Sequence, residues 1–132
     1  MTWSTAPFAP HPHRELGNTP GAHVPNYLLV ETVTRVWEQA LTDLGPEVLP
    51  SSVLAVVRLA LDYRGEVFVA PADFALTLVR VGRTSVELAV RIEQEGATVV
   101  QAQVVVVHVG HDRSGPTPLT AEQREALATL PT

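Results

Sequence analysis

One stretch of this chain carries a helical repeat of any length, and almost everything after it alternates with period two. Apolar residues at Val30, Val33, Trp37, Ala40/Leu41 and Leu44 fall on a single helical face, and Leu28, Leu29 and Val36 widen it. The spacing predicts one largely enclosed helix over Asn26–Leu44, roughly 28 Å long at about 1.5 Å per residue. Pro25 suits its first turn, and Gly45-Pro46 supplies a stop. A chain with one such helix and a run of strands has few ways to bury both. The helix must lie on a sheet.

The strands follow Pro50. Val53, Ala55, Val57, Leu59, Leu61 and Tyr63 alternate with a more polar set that includes Arg58, Asp62 and Arg64. A short piece at Glu66–Ala70 ends at Pro71, and Phe74–Val81 runs to a turn at Gly82-Arg83. In Ser85–Glu93, the residues Val86, Leu88, Val90 and Ile92 share one face. A turn at Gln94-Glu95-Gly96 leads into Thr98–Val109. Short links between the last three strands imply antiparallel hairpins. Thr120-Ala121-Glu122-Gln123 reads as a capping box opening a short C-terminal helix. The class is α+β. Valines 104–107 are apolar on both faces of their strand, so the face turned away from the helix is expected to meet another subunit.

Length and composition bound the function. With 132 residues the chain makes one domain: residues 1–13 read as a flexible tail and 14–132 as the domain. Five of the eleven prolines fall within residues 1–25. Cysteine is absent, which removes disulfides, thiolate nucleophiles and Cys-based metal sites. All nine basic residues are Arg, so Schiff-base chemistry and a Walker lysine are excluded as well. A net charge of −5 without a basic stripe argues against nucleic acid. The apolar runs are too short to span a bilayer, and no secretory leader is visible, so the expected location is cytoplasmic. His11 and His13 lie in the tail, and His108 and His111 close a strand near Asp112; neither set predicts a metal site.

Several segments, in order and at the right distances, carry a resemblance. They are Asn26-Tyr27-Leu28 with Glu31 and Arg35, Leu61-Asp62-Tyr63, and the corner Val79-Arg80-Val81-Gly82-Arg83-Thr84-Ser85. Gly96 before the valine-rich strand and Pro118-Leu119 before the last helix complete the set. From about Arg14 to Leu127 the chain resembles the hotdog-fold acyl-CoA thioesterases, in the branch typified by 4-hydroxybenzoyl-CoA thioesterase. The resemblance implies a curved antiparallel β-sheet wrapped around one long central helix. It also implies a homodimer or dimer of dimers with sites between subunits, and an acyl-CoA substrate. No cofactor is implied, because coenzyme A enters as part of the substrate.

The family has an Asp, two residues and then Gly-His-Val-Asn-Asn just before the helix. Here the stretch from Leu16 to Asn26 offers no carboxylate, and Asn18 or Gly17 stands where the Asp is expected. Glu31 is the first candidate base, since some hotdog thioesterases carry their carboxylate on this helix; its plain alternative is a helix glutamate paired with Arg35. His23 is the second, and Glu15 a third. Asn18 can orient a water or donate to a carbonyl. Backbone N–H groups at the helix start suit an oxyanion. Arg83, Thr84 and Ser85 suit the phosphates of coenzyme A, with Arg80 and Arg113 as possible neighbours, and Tyr27 suits an acyl pocket. The function expected is hydrolysis of an acyl-CoA to the acid and free coenzyme A. A non-catalytic hotdog module that binds an acyl thioester is the alternative, and a dehydratase ranks last because the helix holds no His.

Overall fold

The computed structural model describes the backbone of residues 2–5 and all of residues 23–132. The elements are β1 (Thr2–Thr5), α1 (Asn26–Thr42), β2 (Leu54–Tyr63), β3 (Ala72–Val81), β4 (Ser85–Gln94), β5 (Ala97–His108) and α2 (Ala121–Leu127). The strands form one antiparallel sheet in the order β1-β3-β4-β5-β2. Thus β1 and β2 are its edges. β1 falls inside the segment read as tail, and its backbone pairs with β3 from Thr2–Ala75 to Thr5–Ala72.

The helix owes its position to its apolar stripe. Leu28, Leu29, Val33, Val36, Trp37, Ala40 and Leu41 are buried, and α1 packs against β3 and β4. The opposing wall is Val86, Leu88, Val90 and Ile92 of β4 with Val100, Ala102, Val104 and Val106 of β5. Fully burying one such side chain contributes about 1.5–3 kcal/mol. A helix this short is marginal alone in water, so this wall is what holds it. Pro25 is the N-cap rather than a first-turn residue, and the helix stops at Thr42, two residues before the expected end. The N–H of Leu44 turns to the Leu41 carbonyl and that of Gly45 to the Thr42 carbonyl, which tightens the last turn. Among the described residues, no helix is long and apolar enough to cross a membrane.

Two strand expectations are corrected. Glu66–Ala70 forms no strand; it contributes only a single bridge, from Phe68 to His23. In β2 the alternation changes phase. Val56 opposes Val106 and Arg58 opposes Val105, so Val57 is an extra residue, a β-bulge. Leu54 and Val56 face the helix side before the bulge, and Leu59, Leu61 and Tyr63 face it after. Val53 belongs to a 3₁₀ turn at Ser51–Val53, ahead of the strand.

The far face of β5 is less bare than expected. In register, Val105 lies between Arg58 and Glu87, and Val107 between Ala55 and Ser85, and both valines are half-buried. The apolar surface lies elsewhere: of the six exposed large apolar side chains among the described residues, Val56, Val57, Leu59 and Tyr63 are on edge strand β2.

α2 is tied to the sheet by Gln123. Its backbone N–H donates to Thr120 Oγ1 and its Oε1 accepts from the Thr120 N–H, the expected capping box. Its Nε2 donates to the Val48 carbonyl at 3.1 Å and lies 3.4 Å from His108 Nε2. His108 Nδ1 lies 3.1 Å from the Thr117 carbonyl, so it carries the proton and Nε2 is the acceptor. His108 is thus a buried strand-face residue with its ring fully engaged.

The β4–β5 hairpin closes through Glu95 and Gly96, both at positive φ, +51° and +76°. That is the backbone of a type I′ turn, in which Glu at the first central position is strained and Asn is not. Glu95→Asn is expected to raise stability by about 1 kcal/mol. Urea denaturation measures this, and an unchanged or lower midpoint would contradict the turn assignment.

Candidate functional site

The segment entering α1 is pinned to the loop after β2. The Val24 N–H donates to the Val67 carbonyl at 2.7 Å, next to the His23–Phe68 bridge. That loop is fixed in turn by Gln94, a buried side chain at the end of β4. Gln94 Oε1 accepts from the Phe68 N–H at 3.0 Å, and its Nε2 donates to the carbonyls of Phe68 at 2.8 Å and Ala70 at 3.3 Å. One amide therefore satisfies both backbone groups of Phe68 and holds a non-strand segment in place.

These contacts frame a cleft of about 400 Å³, lined by His23, Val24, Asn26, Leu29, Tyr63, Gly65, Glu66 and Val67. It lies at the N-terminus of α1, whose N-cap is Pro25 and which no side chain caps among the described residues. First-turn N–H groups and the positive end of the helix dipole make such a place favourable for negative charge. His23 Nε2 lies 3.7 Å from Glu66 Oε2, and the His23 ring meets the Phe68 ring edge-on at 4.8 Å. Tyr63 donates its hydroxyl to Asn26 Oδ1. Burial pushes the Tyr63 hydroxyl above its ordinary value, so it stays a donor through the neutral range. With Oδ1 occupied as acceptor, Asn26 presents its NH₂ as the free donor of the amide.

The residues singled out from sequence are distributed unevenly. His23 lines the cleft. Glu31 does not: it sits on α1 with its carboxylate 2.8 Å from Arg35, the i,i+4 pair that was its plain alternative. Tyr27 is exposed and also outside the lining. Asn18 and Glu15 lie outside the described residues. Asn26, Tyr63, Glu66 and Gln94 were not singled out for the site. Glu66 and Gln94 sit in or beside an irregular loop that no periodicity marks. Asn26 and Tyr63 were visible only as pieces of the resembling motifs.

Arg83, Thr84 and Ser85 form a separate feature. Gly82 donates its N–H to the Ser85 carbonyl at 2.8 Å, and a Cβ on Gly82 would come within 2.6 Å of Ser85 Oγ. Thr84 and Arg83 offer their carbonyls to the N–H groups of His108 and Leu119. Arg124 Nη2 donates to the Gly82 carbonyl at 2.8 Å. Backbone contacts thus hold the corner from three sides, while the exposed Arg83 guanidinium has no ion-pair partner among the described residues. Arg113 is not available to it, because its guanidinium donates to the carbonyls of Ser52 and Leu54. The corner is at the other end of the sheet from the cleft. Ser85 pairs with Val107 and Tyr63 with Val100, which puts them about 23 Å apart along β5 at roughly 3.3 Å per residue.

A helix N-terminus laid on an antiparallel sheet, with a cleft at that end, is the architecture of the hotdog fold, and solved structures bear this out. A thioesterase from Thermus thermophilus, solved with coenzyme A and zinc, superposes with a TM-score of 0.77 at 19% identity, covering 96% of this chain and 90% of that one. A predicted thioesterase from Bacillus stearothermophilus gives 0.79 at 17% identity over 100% and 98% of the two chains. A 1,4-dihydroxy-2-naphthoyl-CoA thioesterase from Synechocystis gives 0.76 at 16% identity over 98% and 96%. The chain has the hotdog fold of these thioesterases. No family model matches the sequence, and neither does any curated protein.

The Tyr63 hydroxyl gives a measurable pH effect. A group whose folded-state value is raised binds more protons folded than unfolded once the pH passes its ordinary value, so stability falls as the pH rises. Unfolding followed above about pH 10 is expected to show a steeper loss in the wild type than in Tyr63→Phe. Parallel curves would show that Tyr63 is not the group responsible.

Proposed function

We propose that the protein is an acyl-CoA thioesterase that works at a site between two copies of the chain. The observation that carries this is the pairing, at the uncapped start of α1, of an imidazole with an amide donor inside one cleft. The acyl thioester carbonyl sits at the helix start. His23 takes a proton from a water as that water's oxygen bonds to the carbonyl carbon. The oxyanion so formed is met by the N-terminal end of α1 and by the Asn26 amide. The C–S bond then breaks, and the sulfur leaves with the proton held on His23, giving the carboxylic acid and coenzyme A.

A second copy is part of this reading because the phosphate-suited corner is too far from the cleft within one chain. Among the described residues β2 is an unpaired edge, and it carries Val56, Leu59 and Tyr63 exposed on the helix side. A long apolar edge of this kind favours pairing with another strand. Antiparallel pairing of β2 with β2 of a second copy turns that copy end for end. Its Arg83–Ser85 corner then comes to the sheet end where this chain has its cleft. An acyl-CoA can lie with its thioester at one chain's α1 and its phosphates at the other chain's Arg83, with Thr84 and Ser85 beside it.

Thiol release from a panel of aliphatic and aromatic acyl-CoAs tests the activity. Hydrolysis of at least one is expected, with Arg83→Glu raising KM about tenfold, the effect of losing roughly 1.4 kcal/mol of binding, and leaving kcat near the wild-type value. Binding of acyl-CoA without thiol release would favour the non-catalytic module instead. Leu59→Arg is expected to turn a dimer into a monomer by light scattering and to abolish turnover with it. A wild-type monomer at micromolar concentration would exclude the shared site.

A further inference from the structure

We infer that Glu66 is a positioning residue that selects the tautomer of His23, so that a loop carboxylate supplies what the segment before the helix lacks. This inference rests on the thioesterase reading of the cleft. Among the described residues that line the cleft there is one imidazole, His23, and one carboxylate, Glu66. They face each other, Nε2 to Oε2 at 3.7 Å. Of the carboxylates singled out from the sequence, Glu31 is held by Arg35 outside the cleft, and Glu15 lies outside the described residues.

The physical logic is that of any carboxylate–imidazole pair. A neutral imidazole carries one proton, and the nitrogen facing a carboxylate keeps it, because a lone pair there would meet negative charge. With the proton on Nε2, Nδ1 holds the lone pair that a base needs. When Nδ1 takes a proton from the attacking water, the ring becomes a cation, and the Glu66 carboxylate stabilises it. The Nδ1 proton then passes to the leaving sulfur, and the ring returns to its starting tautomer. Glu66 never bonds to the substrate and never gains a proton.

A 3.7 Å contact is longer than a hydrogen bond, and both side chains are solvent-accessible. Contacts of this kind tighten when a substrate enters and expels water. The backbone under them is already fixed. Phe68, two residues after Glu66, has both its backbone groups taken by Gln94 and its ring edge-on to His23. The Val24–Val67 hydrogen bond ties the residue after His23 to the residue after Glu66. The loop therefore presents Glu66 to His23 through two independent backbone restraints.

The test compares the wild-type chain with Glu66→Gln and Glu66→Asp, each checked for its fold by circular dichroism. Nitrogen-15 chemical shifts of the His23 imidazole are expected to show the Nε2–H tautomer in the wild type. Glu66→Gln is expected to give a mixture of tautomers, and Glu66→Asp to keep the wild-type pattern. On a hydrolysed acyl-CoA, Glu66→Gln is expected to lower kcat about a hundredfold or more with KM nearly unchanged, and Glu66→Asp to recover part of the loss. An Nδ1–H or mixed tautomer in the wild type, or a spectrum unaltered by Glu66→Gln, overturns the inference. So does an unchanged kcat. Because the spectra need no turnover, a protein that hydrolyses nothing still decides whether Glu66 sets the tautomer, and the failure of the thioesterase reading stays distinct.

Discussion

The molecule is organised by the contact between the apolar stripe of α1 and the inner faces of the strands beneath it. Val33 and Ala40 on the helix, and Val86, Leu88, Val104 and Val106 on the sheet, have no accessible surface at all. That contact is tight enough to fix the axis of the helix relative to the strands. Once the axis is fixed, the start of the helix must lie over one end of the sheet, beside Tyr63 and the loop that follows it. The cleft is a result of where the core puts the helix end, and the side chains around it are additions to that frame.

The two ends of the sheet then have different work. One end has the helix N-terminus, a donor amide and an imidazole. The other has a corner whose backbone is held by His108, Leu119 and Arg124 while the Arg83 side chain is left over. Both ends are held by polar side chains that span elements: Gln94 for the loop at the cleft, Gln123 for the C-terminal helix near the corner. Buried amides suit this role, since a Gln can satisfy a donor and an acceptor at once without bringing a charge into the core.

Much of this was legible in the residues, and the reasons are particular. The β4 alternation is long and regular, so burial followed the pattern residue by residue, with Val86, Leu88, Val90 and Ile92 all inside; along α1 the middle of the stripe is buried, while Val30 and Leu44 at its ends are half-buried. The capping box at Thr120 and the turn at Glu95-Gly96 are local chemistry, and local chemistry can be read without a fold. What escaped was set by tertiary contacts. The bulge in β2 leaves no trace in a sequence where Val56 and Val57 are both apolar. Glu66–Ala70 looks like a short strand, yet both backbone groups of Phe68 and the Ala70 carbonyl are taken by Gln94 from another element. Glu66 is one acidic residue among fourteen, and only the fold brings it to His23. Glu31 attracted notice because of where it stands on the helix, and its neighbour Arg35 absorbs it.

The extra residue in β2 has a consequence for how this chain can vary. Its strand consists of two halves counted from different origins, and Val57 is the point where the count restarts. Without that single residue the strand would pair one to one with β5, and Leu59, Leu61 and Tyr63 would keep the helix side, opposite Val104, Ala102 and Val100. The place where β2 can shorten by one residue without turning its apolar side chains outward is therefore the bulge itself.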